Sequence, residues 1–276
     1  HASVGVGHSG AADRSAHRLG ARLVGNDEHL ASLEVLLGGL RVRARGRLTV
    51  ALTGAPAPAR VDDRPIGHAS LVDLAHGSVL TLGMPAAGLR TYLTVRVGID
   101  VAPVLGSRSA DTLSGVGPPP VRAGDVLPVG PAGATFPHVD QAAHPSHAVP
   151  WGSGDTGVAE LEVLPGPRSA WFGGWGSSLG GLLGTTWHVH GDSDRIGLRL
   201  SGFRVERAAP YRDVELPSEG LVRGAVQIPA GGAPVLFLAD HPATGGYPVI
   251  AVLTASAIDR AAQLRPGDLV RLRPSP

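Results

Sequence analysis

The sequence predicts a mostly β protein built as two related halves, and three observations predict it. Forty Gly and 24 Pro among 276 residues are too many for a helix-rich chain, since both disfavour helix interiors. Short runs of Val, Leu, Ile and Ala recur between Gly, Pro and Asp, which is the pattern of strands joined by tight turns. Several strings of the first half return, in the same order, in the second. With 43% hydrophobic but only 4% aromatic residues, the core must be aliphatic.

In chain order, Asp13–Val24 places Ala16, Leu19, Leu23 and Val24 at helical spacing, with Asp13 as the N-cap. Arg47–Leu52, Val79–Leu82 and Tyr92–Val97 read as strands of the first half, and Val235–Leu238 and Val249–Leu253 as strands of the second. Ser177–Leu183 and Ser256–Leu264 are the other helix candidates, the latter opening on Ser256. The Pro- and His-rich stretch Gly117–Pro150 reads as loop and linker, which divides the chain into 1–150 and 151–276.

The duplication rests on three pairs of strings. Arg122-Ala-Gly-Asp-Val-Leu-Pro-Val129 is echoed by Arg265-Pro-Gly-Asp-Leu-Val-Arg-Leu272, and Gly88–Val95 by Gly245–Val252. Ser9 and Asp13-Arg14, followed by His17-Arg18-Leu19, are echoed by Ser193-Asp194-Arg195, followed by Leu198-Arg199-Leu200.

Composition excludes much chemistry. With no cysteine there is no disulfide, iron–sulfur cluster, thiolate zinc site or Cys nucleophile. All 24 basic residues are Arg, so a phosphate-loop, Schiff-base or biotin-bearing lysine is excluded as well. Net charge is +1 with both signs interleaved, and no basic run or aromatic platform points to nucleic acid. No apolar stretch reaches the ~18 residues of a membrane helix. No charged start followed by an apolar core marks a signal peptide, so a cytoplasmic chain is expected, although it opens at His1 rather than Met.

The candidate residues each have a plain alternative. Gly173–Gly184 lacks the Gly-Lys-Ser/Thr ending of a phosphate loop, and Leu179, Leu182 and Leu183 suit a short helix packed on a sheet. His188 and His190 share a strand face and His138, His144 and His147 lie in the linker, but no spacing enforces a metal site, and no metal is predicted on this chain alone. Asp194, Glu219 and Asp240 each sit beside turn residues at the end of an apolar run, where a β scaffold presents functional side chains and also where carboxylates cap turns. Asn26, the one Asn of the chain, follows Gly25 at the end of the first helix as either a C-cap or a site residue. Gln227 is one of three Gln.

These strings resemble the KipA family, the C-type component (PxpC) of bacterial 5-oxoprolinase. That family is itself similar to the allophanate-hydrolase-subunit-2-type region of urea carboxylases, which is related to biotin-dependent carboxyltransferases. The resemblance begins with Gly7-His-Ser-Gly-Ala-Ala-Asp13 and continues through Leu23-Val-Gly-Asn26, Leu33-Glu34, Leu52-Thr-Gly-Ala55, Val104-Leu-Gly-Ser-Arg-Ser109 and Ser193-Asp-Arg-Ile-Gly197. It ends with Ser218-Glu-Gly220, Gly224-Ala-Val-Gln-Ile-Pro229, Leu238-Ala-Asp240, Thr244-Gly-Gly-Tyr-Pro248 and Ala262–Asp268. Ala12 departs from the usual Met, and Ile196 stands where Met or Val is common.

The resemblance implies two tandem cyclophilin-like β-barrels, the first lacking its first strand and an adjoining turn. It further implies a KipI-like partner of the B type, a third 5-oxoprolinase subunit, and ATP shared with or bound by the partner. The implied reaction is ATP-driven opening of 5-oxo-L-proline to L-glutamate, with the chain inactive alone. Two further readings are a carboxyltransferase component of a urea or amide carboxylase, and a regulatory protein that antagonises a KipI-like kinase inhibitor. Residue chemistry then offers Arg108 and Arg195 as clamps for carboxylate or phosphate, and the backbone at Thr244-Gly245-Gly246 as an oxyanion approach. Asp194, Glu219 or Asp240 is offered as a base or water-orienting group, with Ser9 added to the substrate site and Gln227 and Asn26 as hydrogen-bond partners of an amide.

Overall fold

The computed structural model describes residues 5–131, 141–142, 157–175 and 177–276. These form two compact units, one drawn from Asp13–Ala110 and Gly117–Pro150, the other from His1–Ala12, Asp111–Val116 and Trp151–Pro276. The architecture is mostly β, with two α-helices among the described residues. None of the described helices is long and apolar enough to cross a membrane.

The unit that begins at Asp13 opens with helix α1 (Arg14–Val24). Asp13 caps it by accepting the Ala16 N–H at 2.9 Å, and Gly25 ends it in the left-handed region at φ 70°. The helix buries Ala16, Leu19, Leu23 and Val24, as the spacing predicts. Its Gly20 lies where a Cβ would come within 2.4 Å of Thr94 Oγ1, so the absent side chain lets the helix lie close on the sheet.

Eight strands follow: β1 (Leu33–Leu36), β2 (Arg41–Arg43), β3 (Leu48–Gly54), β4 (Ala59–Val61), β5 (Arg64–Pro65), β6 (Leu71–Leu74), β7 (Val79–Leu82) and β8 (Arg90–Val95). They pair as two antiparallel four-stranded sheets, β1-β8-β3-β6 and β2-β7-β4-β5. Val50, Leu52, Leu80, Leu82, Leu93 and Val95 from both sheets make one core.

The other unit closes into a seven-stranded barrel. Its strands are β9 (Val158–Pro165), β10 (Thr186–Val189), β11 (Gly197–Ser201), β13 (Ala225–Gln227), β14 (Val235–Phe237), β16 (Val249–Leu253) and β17 (Leu269–Pro274). The order is β10-β11-β14-β13-β16-β9-β17, with β17 pairing back to β10. Every rung is antiparallel except β17 on β9, which run parallel from Leu269 opposite Val158 to Pro274 opposite Val163. Closure leaves no bare edge, and alternate residues point inward. Leu161, Trp187, Leu198, Leu200, Val226, Leu236, Ile250 and Val270 fill the interior. Outside the barrel, β12 (Glu219–Gly220) and β15 (Thr244–Gly245) form a two-stranded ribbon, and α2 (Ala255–Ala261) is capped by Thr254, which accepts the Ala257 N–H at 3.3 Å.

Three local expectations change. Ser177–Leu182 is a run of turns, not a helix, with Leu179, Gly180 and Gly181 all at positive φ. Leu179 and Leu182 are nonetheless fully buried, because the turns drop both into the barrel core. The second helix starts one residue earlier than Ser256, with Thr254 as its cap. Of the repeated strings, Arg122–Asp125 and Arg265–Asp268 make the same turn, an Asp carboxylate accepting the Arg N–H at 2.7 and 2.8 Å. Asp13 and Asp194 part company: the first caps a helix and the second braces the start of strand β11. Most of the Gly117–Pro150 linker and its histidines at 138, 144 and 147 lie outside the described residues.

Candidate functional site

Of the acids and arginines singled out in the second half, Asp240 and Arg195 fall in one group and Glu219 in another, both within the barrel-containing unit. Asp240, at the end of the apolar run through β14, is fully buried. Its Oδ1 accepts the Ser9 hydroxyl at 2.6 Å and Arg195 Nη2 at 3.1 Å. Its Oδ2 accepts Arg195 Nε at 2.9 Å, and Thr112 through both N–H (3.0 Å) and hydroxyl (2.8 Å). Arg195 also donates to the Gly10 carbonyl at 2.6 Å. Burial pushes the Asp240 carboxyl up, but the Arg195 hydrogen bonds and charge, with Ser9 and the Thr112 amide, outweigh it and hold it below its ordinary 3.8.

One carboxylate thus ties the stretches around Ser9 and Thr112 to the β14 end of the unit. Ser9, Arg195 and Asp240 are brought together, and Thr112 is a partner that the sequence did not single out. Its signal was weak, a Thr in a Gly- and Ser-rich loop.

The second group lies beside a cleft of about 780 Å³, which it reaches at Gly246. Residues of the stretch 204–216 line it, together with Ile228–Ala230, Gly232, Gly246 and Tyr247. Strand pairing sets Glu219 opposite Gly245 and Gly220 opposite Thr244. Arg168 forks the Glu219 carboxylate, Nη2 to Oε1 and Nε to Oε2. Gln227, 4% exposed, donates its amide N–H to the Tyr247 carbonyl at 2.9 Å. A Cβ on Gly245 would sit 2.7 Å from Gln227 Nε2, so this glycine admits the glutamine by having no side chain. Glu219, Gln227, Thr244, Gly245 and Gly246 therefore form one continuous structure beside the cleft.

The 204–216 stretch packs on Trp171. Tyr211 stacks on its ring at 5.2 Å with the planes 8° apart, and the guanidiniums of Arg207 and Arg168 lie 5.3 and 5.6 Å from it. Arg207 also donates to the Val214 carbonyl at 2.6 Å and the Tyr211 carbonyl at 3.3 Å. Arg168, which forks Glu219, and Trp171, which stacks on Tyr211, thus both belong to or adjoin the 3₁₀ turn Ser169–Phe172. Sequence reasoning missed these residues. The available signal was the alternation of Arg with Glu and Asp from Arg204 to Glu215, in a chain whose every cation is Arg.

The remaining candidates lie elsewhere. Asp194 is exposed, and its Oδ1 accepts the Ile196 and Gly197 N–H groups as a turn brace. Asn26 belongs to the other unit and hydrogen-bonds backbone on both sides, Nδ2 to the Val95 carbonyl (2.8 Å) and Oδ1 from the Val97 N–H (2.7 Å). Arg108, in that same unit, donates to the Val101 and His29 carbonyls at 3.0 and 3.3 Å. In the Gly-rich stretch the N–H groups of Gly174, Ser177, Gly181, Leu182 and Leu183 bond carbonyls within it or just before it, so these five are not available to a phosphate. No cluster of three or more potential metal ligands occurs among the described residues, and His190 pairs only loosely with Asp192 at 3.5 Å.

With this geometry in place, the family is decided by extent of match. The profile described as "Carboxyltransferase domain, subdomain A and B" matches residues 4–274. The chain belongs to the carboxyltransferase-domain family. It is 36% identical to the C-type subunit of 5-oxoprolinase from Escherichia coli over 263 residues, 94% of this chain and 80% of the relative. It is 30% identical to urea amidolyase of Saccharomyces cerevisiae over 98% of this chain but 15% of that protein. Among solved structures, urea amidolyase of K. lactis superposes with a TM-score of 0.85 at 27% identity, over 98% of this chain and 17% of that one. The structure of TTHA0988 superposes at 0.84 with 29% identity, over 99% and 52%. The chain therefore spans about half, or less, of these solved chains.

Proposed function

We propose that this chain is a subunit of an ATP-dependent 5-oxoprolinase, which opens 5-oxo-L-proline to L-glutamate in the cytoplasm together with a KipI-like partner and a third subunit. The observation that carries the reading is coverage. The 5-oxoprolinase subunit of E. coli is matched over 80% of its own length, whereas urea amidolyase is matched over 15% of its length.

The chemistry sets the demands. An unactivated lactam resists water, and phosphorylating its oxygen makes the carbonyl a good electrophile. ATP supplies that activation. The absence of lysine and the occupied N–H groups of the Gly-rich stretch argue that the nucleotide is held chiefly by a partner. What remains for this chain is to hold and orient the small substrate and to keep its leaving and attacking groups aligned. The cleft beside Glu219, Gln227 and Gly245 suits that work better than the Asp240 cluster, whose carboxylate is already saturated with donors.

The test is reconstitution. Mixed with its partner subunits, the chain should support glutamate formation that requires both ATP and 5-oxoproline, and Gln227→Ala should lower it at least ten-fold. A second reading, a urea-carboxylating component, draws support from the family description and from the superposition on urea amidolyase. It takes over if the complex ignores 5-oxoproline but carboxylates urea with a biotinylated carrier.

A further inference from the structure

The cleft carries an unusual charge arrangement. Three arginines (Arg204, Arg207, Arg212) and three acids (Glu206, Asp213, Glu215) line it, so its formal charge is balanced. Arg207 is committed to Trp171 and to two carbonyls. By contrast, the side chains of Arg204 and Arg212 make no ion pair or hydrogen bond with the described residues, nor do those of Glu206, Asp213 and Glu215. Charges of both signs on one short exposed stretch, left unpaired with each other, are available to a ligand that carries complementary groups of its own.

We propose that this cleft binds a small amino acid or its lactam, with the ligand carboxylate on Arg204 and Arg212 and its N–H donor satisfied by an acidic side chain of the same stretch. The cleft volume lies within the range usual for small-molecule sites. Val214 and Tyr247, both exposed lining residues, supply apolar surface for the ligand's methylene groups. Balanced charge argues against a polyphosphate, whose several negative charges would meet three carboxylates as well as three guanidiniums. The frame is rigid where it needs to be. The Trp171 stack holds Tyr211 within the 204–216 stretch and the Arg168–Glu219 fork holds the ribbon next to Gly246, while the two uncommitted arginines remain available.

The choice of 5-oxoproline and glutamate as probes rests on the reading of the chain as a 5-oxoprolinase subunit; the site itself does not. The assembled complex is treated with phenylglyoxal, which modifies arginine, and peptides are quantified by mass spectrometry. 5-Oxoproline or glutamate should slow modification of Arg204 and Arg212 several-fold and leave exposed Arg45 unchanged, and inorganic phosphate should not protect. In turnover, Arg204→Gln and Arg212→Gln should each raise the KM for 5-oxoproline at least ten-fold with the KM for ATP unchanged.

Equal protection of Arg45, protection by phosphate, or intact turnover with an unaltered KM in both variants overturns the assignment. If the complex never turns over 5-oxoproline but glutamate still protects the two arginines, the enzyme reading falls and the cleft assignment stands.

Discussion

The Asp240 cluster and the 204–216 cleft use the same residue types to opposite ends. At Asp240 one carboxylate receives five donors, from Ser9, Thr112 and Arg195, with no exposed surface. In the cleft, two arginines and three acids face solvent without protein partners among the described residues. A satisfied buried charge holds a fold together, because removing any partner strands the rest in low dielectric. An unsatisfied exposed charge costs little to keep and is available to a ligand. Hydrogen-bond saturation, more than residue identity, separates scaffold from candidate site here.

The sharpest way to break that comparison is at Asp240. Asp240→Ala should destabilise the chain by about 3–5 kcal/mol, the scale of breaking a largely buried ion pair by removing one partner. Denaturant unfolding of the purified chain measures it, and a loss under ~1 kcal/mol, the scale of an exposed pair, would return Asp240 to the catalytic candidates. The wild type carries a pH signature as well. Its folded carboxyl lies below the ordinary 3.8, so the stabilisation is complete above that value and is lost as pH falls through the lower folded one. Asp240→Asn should lack that acid limb.

The sequence made the scaffold legible and left the cleft obscure, for physical reasons that particular residues show. Strands β7 and β16 were readable to the residue, because apolar runs between turn signals admit little else. Helix α1 was readable from Asp13 and its 3.6-residue apolar face. Leu179, Leu182 and Leu183 misled because two leucines three apart reach a core equally well from a helix or from glycine turns. Asp194 and Asp240 look alike in sequence, each an acid beside a turn. Only the fold reveals that one braces an exposed turn and the other gathers Ser9 and Thr112 from more than 120 residues away in sequence. The 204–216 stretch has no periodicity to read, and its meaning depends on which of its charges the fold leaves unpaired.

A smaller effect tests how the ribbon beside the cleft is built. Gly245→Ala would place a Cβ 2.7 Å from Gln227 Nε2 and 2.8 Å from Leu221 Cδ1. Its backbone is not in the left-handed region, so the penalty is steric, and overpacking of this kind costs about 1–3 kcal/mol. Relief should come from the Gln227 side. Gly245→Ala combined with Gln227→Ala should recover part of the loss in unfolding experiments, whereas two independent sites would simply add.

The adjoining glycine gives the smallest stability change and the finest distinction. A Cβ on Gly246 meets nothing nearer than the Leu216 carbonyl at 3.8 Å and Ser218 Oγ at 4.0 Å. Gly246→Ala should therefore leave stability within about 0.5 kcal/mol, as expected for an exposed position with no special contact. Yet Gly246 lines the cleft, and an added methyl narrows it. Binding of 5-oxoproline to the complex should weaken while the unfolding curve stays in place. If Gly246→Ala shifts neither quantity and Gly245→Ala shifts only stability, the ribbon is scaffold throughout. The boundary between scaffold and site would then fall at the arginines of the 204–216 stretch, because the ribbon would brace the cleft but offer no surface to its ligand.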